Sequence, residues 1–76
     1  MNNKRRAQLK QVYEGIETTK DILSDILDDE SDYLDNIPEN LQSSERYEKA
    51  EDAVSSLEDA IDKLEEALSN IEDAMS

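Results

Sequence analysis

The sequence contains no cysteine, histidine, phenylalanine or tryptophan, and only one glycine and one proline. Without cysteine no disulfide can form, and without cysteine or histidine the usual structural zinc site is excluded. Any core must be aliphatic, with three tyrosines as its only aromatic residues. Chains this short rarely bury enough apolar surface to fold stably as monomers without a disulfide or a bound metal. The absences therefore favour regular helix packing or self-association as the source of stability.

The same absences leave little material for catalysis, which needs a nucleophile, base or metal held with a shifted pKa in a pocket. No glycine-rich phosphate loop is present. The acidic stretch 28–39 places Asp28, Glu30, Asp32 and Glu39 in the frame of a calcium-binding loop, but Tyr33 stands where that loop needs glycine. We therefore predict a non-enzyme with no catalytic residue, no cofactor and no metal site.

Acidic residues outnumber basic ones by 21 to 8, which gives a net charge of −13. Four of the bases, Lys4, Arg5, Arg6 and Lys10, lie in the first ten residues. Such a chain repels nucleic acid and anionic lipid and attracts basic protein partners. No apolar run follows the basic start as in a secretion signal, and no stretch approaches the roughly 20 apolar residues of a membrane span. We expect a soluble, cytoplasmic protein of a bacterial cell or a phage-infected host.

Residues 51–75 repeat every seven positions as EDAVSSL, EDAIDKL, EEALSNI and EDAM. Apolar residues alternate at spacings of three and four, which is typical of a coiled-coil seam, and predict a helix over 44–75. The seam residues are Tyr47, Ala50, Val54, Leu57, Ile61, Leu64, Leu68, Ile71 and Met75. Alanines lie just before Val54, Ile61, Leu68 and Met75. This alanine column widens the apolar stripe beyond what the packing of two helices needs. We predict that this column is an association face: Ala53, Ala60, Ala67 and Ala74.

The same spacing over 4–34 predicts a first helix. Its seam comprises Leu9, Val12, Ile16, Leu23, Ile26 and Tyr33, with Thr19 and Glu30 as polar members. The wider stripe of this helix includes Tyr13, Ile22, Leu27 and Leu34, which we expect to stay partly exposed. Gly15 costs the helix about 1 kcal/mol relative to alanine. It marks either a tolerated weakness or the close approach of another backbone.

The link over 35–43 has clear turn chemistry. Pro38 disfavours helical geometry at Ile37 and ends the first helix. Asn36 and Glu39 have the spacing of a capping box, which predicts one helical turn over 37–41. Ile37 and Leu41 would then close the end of the core. Ser43 or Ser44 is the expected N-cap of the second helix, with Glu45 and Glu48 favoured in its first turns.

A link this short makes the two helices antiparallel neighbours, and pairing residues whose numbers add up to 80 places seam on seam. Leu23 then lies opposite Leu57, and Val12 opposite Leu68. We predict an all-α fold: a single-domain, antiparallel two-helix coiled-coil hairpin over 1–76 that dimerises into a four-helix bundle. In this register the four bases of the first ten residues lie alongside Glu65, Glu66, Glu72 and Asp73, and Glu30 can reach Arg46 or Lys49.

The stretch DNIPENLQSSERYEKAEDA (35–53), with the EDAI and LEEA repeats that follow, resembles a set of short uncharacterised acidic proteins of gut Firmicutes and their phages. Those proteins share a charged first helix, an N-[IL]-P-E-[NG]-L-Q link and a Ser-Glu-Arg helix start. The resemblance implies a bacterial or phage source and a helical hairpin. It brings no activity and no functional residue with it.

Two functions fit the pattern. The first is a non-catalytic, self-associating protein-interaction module, with a homo-oligomer or a basic protein as partner. The second is a nucleic-acid mimic of the anti-restriction or anti-CRISPR type, which would occupy the basic DNA- or RNA-binding channel of a host enzyme. Its surface would be formed by outward acids of the second helix: Asp52, Glu58, Asp59, Asp62, Glu65, Glu66, Glu72 and Asp73.

Overall fold

The computed structural model describes all residues from Met1 to Ser76. Helix α1 spans Asn3–Asp35 and helix α2 spans Glu45–Met75, with a short 3-10 helix, Glu39–Leu41, between them. The two long helices pack side by side in a rod of 59 × 15 × 13 Å. The predicted all-helical hairpin is therefore confirmed, and its helices end within one residue of the predicted bounds. No helix of the protein is both long and apolar enough to cross a membrane.

Both long helices begin at a polar side chain that caps them. Asn2 Oδ1 accepts a hydrogen bond of 2.8 Å from the backbone N–H of Arg5. Ser44 Oγ accepts one of 3.3 Å from the backbone N–H of Tyr47, so of the two candidate serines Ser44 is the cap. Each side chain satisfies a backbone donor that the first turn leaves without a helical partner. Ser44 is one of the two caps predicted for the second helix, and the cap at Asn2 is an addition by the structure.

The link follows its predicted course in outline but not in its capping. Asn36 is the C-cap of α1: its N–H donates to the Asp32 carbonyl at 3.1 Å, and the N–H of Ile37 donates to the Leu34 carbonyl at 3.2 Å. Pro38 begins the 3-10 helix without a side-chain cap. The predicted capping box is therefore wrong, because Asn36 completes the preceding helix instead of starting the next one. Ile37 is buried at 8% exposure, but Leu41 is 45% exposed. Only Ile37 closes the end of the core.

The side of α2 that faces α1 carries the repeated apolar residues. Leu68 and Ala50 are buried, at 6% and 5% exposure. The other seam residues of this helix are half-buried: Tyr47, Val54, Leu57, Ile61, Leu64, Ile71 and Met75. No large side chain is fully buried. The core is therefore a single layer of side chains between two rods, and each layer residue keeps part of its surface in water.

The side of α1 that faces α2 differs from the predicted seam at every second position. Val12 and Ile26 are 50% and 48% exposed, and Thr19 is exposed as well. The next residue along is less exposed in each case, so the seam of α1 consists of Arg6, Leu9, Tyr13, Ile16, Lys20, Leu23, Leu27, Glu30 and Leu34. The predicted and the observed seam residues of α1 both follow one another at spacings of three and four. The observed set turns the longer side chains toward α2, so Val12 does not lie against Leu68.

Two polar expectations are also corrected. None of the bases in the first ten residues forms an ion pair; the two ion pairs are Lys20–Glu65 at 3.8 Å and Lys49–Glu45 at 3.0 Å. Arg6 Nε donates instead to the Met75 carbonyl at 3.1 Å, where the end of α2 carries a partial negative charge. Arg46 does not pair with Glu30. It lies over the Tyr33 ring, 5.3 Å from the centroid, and donates to the Tyr33 hydroxyl.

Candidate interaction surfaces

The hairpin has two distinct long sides, which follow from its geometry. A residue that precedes a seam residue lies about 100° to one side of the seam, and a residue that follows it lies about 100° to the other. The two helices are antiparallel and their seams face each other. A step of one residue back along the chain therefore turns the side chain toward the same side of the hairpin in both helices. The preceding residues of α1 and α2 therefore share one side of the hairpin, and the following residues share the opposite side.

Contacts between the helices agree with this assignment. Tyr33 and Arg46 both precede seam residues, and they touch each other across the hairpin. On the other side, the seam residue Tyr13 donates from its hydroxyl to Glu72 Oε1 at 2.8 Å, and Lys20 reaches Glu65. Glu65 and Glu72 both follow seam residues of α2. One contact thus joins two preceding residues, and the other two each join a seam residue of α1 to a following residue of α2.

The side made of preceding residues holds almost no acid, and we call it the acid-poor face. The face comprises nine positions on each helix. These 18 positions together hold four bases and one acid, Asp29, so their net charge is +3. On α1 it comprises Arg5, Gln8, Val12, Gly15, Thr19, Ile22, Ile26, Asp29 and Tyr33. On α2 it comprises Arg46, Lys49, Ala53, Ser56, Ala60, Lys63, Ala67, Asn70 and Ala74.

The opposite side, made of following residues, is the acidic side. Its 18 positions hold 11 acids and one base, Lys10, for a net charge of −10. On α1 they are Ala7, Lys10, Glu14, Glu17, Asp21, Ser24, Asp28, Ser31 and Asp35; on α2 they are Glu48, Glu51, Ser55, Glu58, Asp62, Glu65, Ser69, Glu72 and Ser76. More than half of the 21 acids of this rod thus lie on one side, and the opposite side holds one.

An apolar stripe runs along the middle of the acid-poor face. Val12, Ile22 and Ile26 of α1 expose about half of their surface. The alanine column of α2 lies on the same side; Ala53, Ala60 and Ala67 are half-buried at the edge of the seam, and Ala74 is exposed. The predicted association face is therefore half of a wider surface. Sequence reasoning missed the α1 half by assigning Val12 and Ile26 to the seam. The longer side chains of Tyr13 and Leu27 in the neighbouring column could have revealed it.

Gly15 lies within this stripe and leaves open space above it. A Cβ atom built at Gly15 would meet no other heavy atom within 4 Å. Its backbone is ordinary helix with negative φ, and its carbonyl accepts a hydrogen bond of 3.0 Å from Thr19 Oγ1. The close approach of a second backbone considered for this glycine is not made by α2. Gly15 thus forms a shallow notch on the exposed surface of the hairpin.

The eight acids assigned to a mimic surface are all exposed. Glu58, Asp62, Glu65 and Glu72 lie on the acidic side, whereas Asp52, Asp59, Glu66 and Asp73 lie on the back of α2, turned away from α1. Glu65 pairs with Lys20. Glu72 accepts the hydrogen bond of Tyr13, and this bond, with the nearby negative charge, raises the pKa of the Tyr13 hydroxyl above its ordinary value of 10.0.

Two further features lie near the link. A hollow of about 240 Å³ is lined by Tyr33, Asn36, Ile37, Pro38, Leu41 and Arg46. It adjoins the link end of the acid-poor face. The calcium-loop frame does not form a loop, because 28–35 is continuous helix and Glu39 lies beyond the link proline. Within the whole chain, no group of three or more acids is gathered as metal ligands would be.

Comparison of the chain with protein-family models, curated proteins and solved structures gave no match.

Proposed function

We propose that this protein is a non-catalytic protein-interaction module that works by self-association through its acid-poor face. The observation that carries the proposal is the coincidence of two independent patterns on one side of the hairpin. The exposed apolar residues Val12, Ile22 and Ile26 lie there, and 20 of the 21 acids lie elsewhere. Apolar surface favours burial, and contact through this face brings a net charge of +3 against +3 instead of −10 against −10, so the opposing repulsion is weaker.

The exposed area supports a contact of this kind. A compact protein of 8.7 kDa has an accessible surface of about 4,700 Å², whereas this hairpin exposes 5649 Å². The excess is about 900 Å², close to the roughly 800 Å² per partner that a standard protein interface buries. A single layer of half-buried seam residues explains the excess. One further layer against the acid-poor face would remove it.

The electrostatics point the same way. Two chains of net charge −13 repel each other, and contact through their acidic sides would bring 11 acids of each copy together. Contact through the acid-poor faces keeps those acids on the outside, where water and salt screen them. Association by this face is thus the least costly way for two copies to meet.

Sedimentation velocity over a concentration series tests the proposal with a matched pair of variants. The wild-type protein is expected to form dimers at tens of micromolar. Ile22→Glu places a charge in the apolar stripe and should shift the chain to monomer, while circular dichroism still reports the folded hairpin. Ser69→Glu adds the same charge on the acidic side and should leave the dimer intact. A wild-type chain that stays monomeric throughout would overturn the proposal.

A second candidate function is favoured by the spacing of the outer acids. Asp52 to Asp73 covers about 32 Å of helix, so the eight exposed carboxylates provide one charge per about 4 Å. Phosphates along one strand of a duplex are spaced by about 3.4 Å of helix axis. We propose as the alternative a nucleic-acid mimic that occupies the basic channel of a DNA- or RNA-binding enzyme. Association through the acid-poor face would leave this surface free.

Competition against labelled duplex DNA on purified restriction and CRISPR nucleases tests the alternative. The protein should displace the duplex, and displacement should weaken as salt is added. A variant with Glu58, Asp59, Glu65 and Glu66 changed to glutamine should lose it while remaining a folded dimer. Failure to displace DNA from any nuclease, or displacement that survives neutralisation of these acids, would count against mimicry and leave self-association untouched.

A further inference from the structure

Resting on the proposed self-association, we infer how the second copy is placed. The two-fold axis runs parallel to the helices, so α1 of each copy lies against α2 of the other. This arrangement differs from the other two-fold packing of flat faces, in which the axis is perpendicular to the helices and α1 lies on α1. Both place every helix beside antiparallel neighbours, so helix direction alone does not choose between them. The sizes of the side chains on the acid-poor face distinguish the two arrangements.

The acid-poor face is uneven in a way that suits the first arrangement. Its stripe on α1 consists of the large residues Val12, Ile22 and Ile26, and its stripe on α2 consists of alanines. Helix axes are about 8 Å apart over small residues and about 10 Å apart over large ones. Packing α1 on α1 would give one wide and one narrow helix pair in the same bundle. Packing α1 on α2 gives two equal pairs, each with large side chains over small ones.

The register of the hairpin then matches individual residues. Tyr33 touches Arg46 and Arg6 touches Met75, so residues whose numbers add up to about 80 lie at the same height. An axis parallel to the helices preserves height between the copies. Ile22 of one copy is therefore level with Ala60 of the other, and Ile26 is level with Ala53. Val12 falls at the height of Ala67 by the same rule, so every large residue of the stripe meets an alanine.

The charges on the face agree with this register. Asp29 is the only acid of the acid-poor face. In the parallel-axis arrangement it lies within one helical turn of Lys49 of the second copy, on the same outer edge of the contact. Lys49 is exposed and holds only Glu45 of its own helix. The one unfavourable group on the face thus comes next to a base when α1 lies against α2.

Cross-linking between single-cysteine variants tests the arrangement, because the natural chain has no cysteine to interfere. Ile22→Cys and Ala60→Cys chains are mixed, oxidised and resolved by mass. A disulfide requires Cα atoms no more than about 7 Å apart. We expect the mixed disulfide between the two variants in at least ten-fold excess over either self-disulfide. Ile22→Cys mixed with Ser69→Cys, a position on the acidic side, is the control and should give no mixed product.

The outcomes separate this inference from the proposed function. Self-disulfides of Ile22→Cys as the main product would overturn the parallel axis and favour packing of α1 on α1. Dimers in sedimentation without any disulfide at these positions would also overturn it, while self-association would stand. Monomers in sedimentation would overturn both. Circular dichroism of each variant before oxidation confirms that the hairpin has folded.

Discussion

Replacement of Gly15 by alanine should stabilise the isolated hairpin. Glycine in a helix interior is about 1 kcal/mol less favourable than alanine, because the unfolded chain loses more backbone freedom on folding. The added methyl group has open space around it in the hairpin, with nothing within 4 Å, so no steric cost offsets the gain. We expect the free energy of unfolding to rise by about 1 kcal/mol. For a domain of this size that corresponds to an increase in melting temperature of roughly 4–8 °C.

The measurement is thermal and urea unfolding by circular dichroism, at a concentration low enough for sedimentation to show monomers. Ser55→Ala is the matched control, since Ser55 is exposed on the acidic side and its replacement tests helix propensity alone. It should gain about half as much as Gly15→Ala. A Gly15→Ala hairpin no more stable than wild type under these conditions would refute the reasoning, because it would mean that the backbone at this position needs glycine.

The same substitution should act differently in the associated state. In the proposed dimer the methyl group at position 15 would point into the contact between the two copies, where glycine would leave room for the second backbone. Binding stabilises a fold by mass action, so the melting temperature of the wild type should rise with protein concentration. We expect a shallower rise for Gly15→Ala, so its advantage shrinks as concentration grows. An advantage that stays constant over the whole series would place Gly15 outside the contact.

Leu68→Ala should lower the free energy of unfolding by about 2–5 kcal/mol, since Leu68, at 6% exposure, is the most buried large side chain. Ile22→Ala, at a half-exposed position, should change the free energy of unfolding by less than about 1 kcal/mol in dilute solution. Urea unfolding measures both, and equal losses would contradict the observed burial. Added salt should raise the melting temperature, because it screens a net charge of −13 more than it weakens the two surface ion pairs; a lower melting point in salt would show that the ion pairs dominate. The carboxylate of Glu72 raises the pKa of Tyr13 in the folded hairpin, so the stabilising bond is fully present below pH 10 and is lost as the pH rises through that raised pKa. Tyrosinate absorbance should therefore titrate earlier in Glu72→Gln than in the wild type, and identical curves would exclude the bond.

The parts of the fold that sequence predicted are those in which one local rule has no competitor. Pro38 permits no helix through the link, and Ser44 offers a capping oxygen one residue before a run of helix formers. On α2 the seam and the alanine column differ in size, so the larger residues face inward. On α1 the two columns are both largely apolar and have the same spacing, so the longer side chains of Tyr13 and Leu27 are the one local signal that favours them over Val12 and Ile26.

The ion pairs were less predictable for a different reason. Long basic side chains on a rod have several acceptors within reach, and each exposed pair is worth only about 0–1 kcal/mol. Small differences in helix rotation therefore decide which pair forms. The rotation that turned Val12 outward brought Lys20 into the seam and next to Glu65. Arg46 found the ring and hydroxyl of Tyr33 instead of the carboxylate of Glu30. The error in the predicted seam of α1 thus goes together with the errors in the predicted polar contacts of this helix.

The distribution of charge links the two candidate functions. A solitary rod gains nothing from crowding its acids onto one side, because repulsion among 11 acids is stronger there than if they were spread evenly. A partner bound to the acid-poor face would explain this uneven distribution of acids. Two hairpins joined by their acid-poor faces would carry an acidic side on each outer surface of the bundle, so a mimic built this way would be bivalent. Ile22→Glu should then weaken displacement of DNA by a channel-bearing oligomer through loss of avidity, while each monomer keeps its full set of outer carboxylates. Displacement unaffected by Ile22→Glu in a chain shown to be monomeric would separate the two functions and leave the acid-poor face to self-association alone.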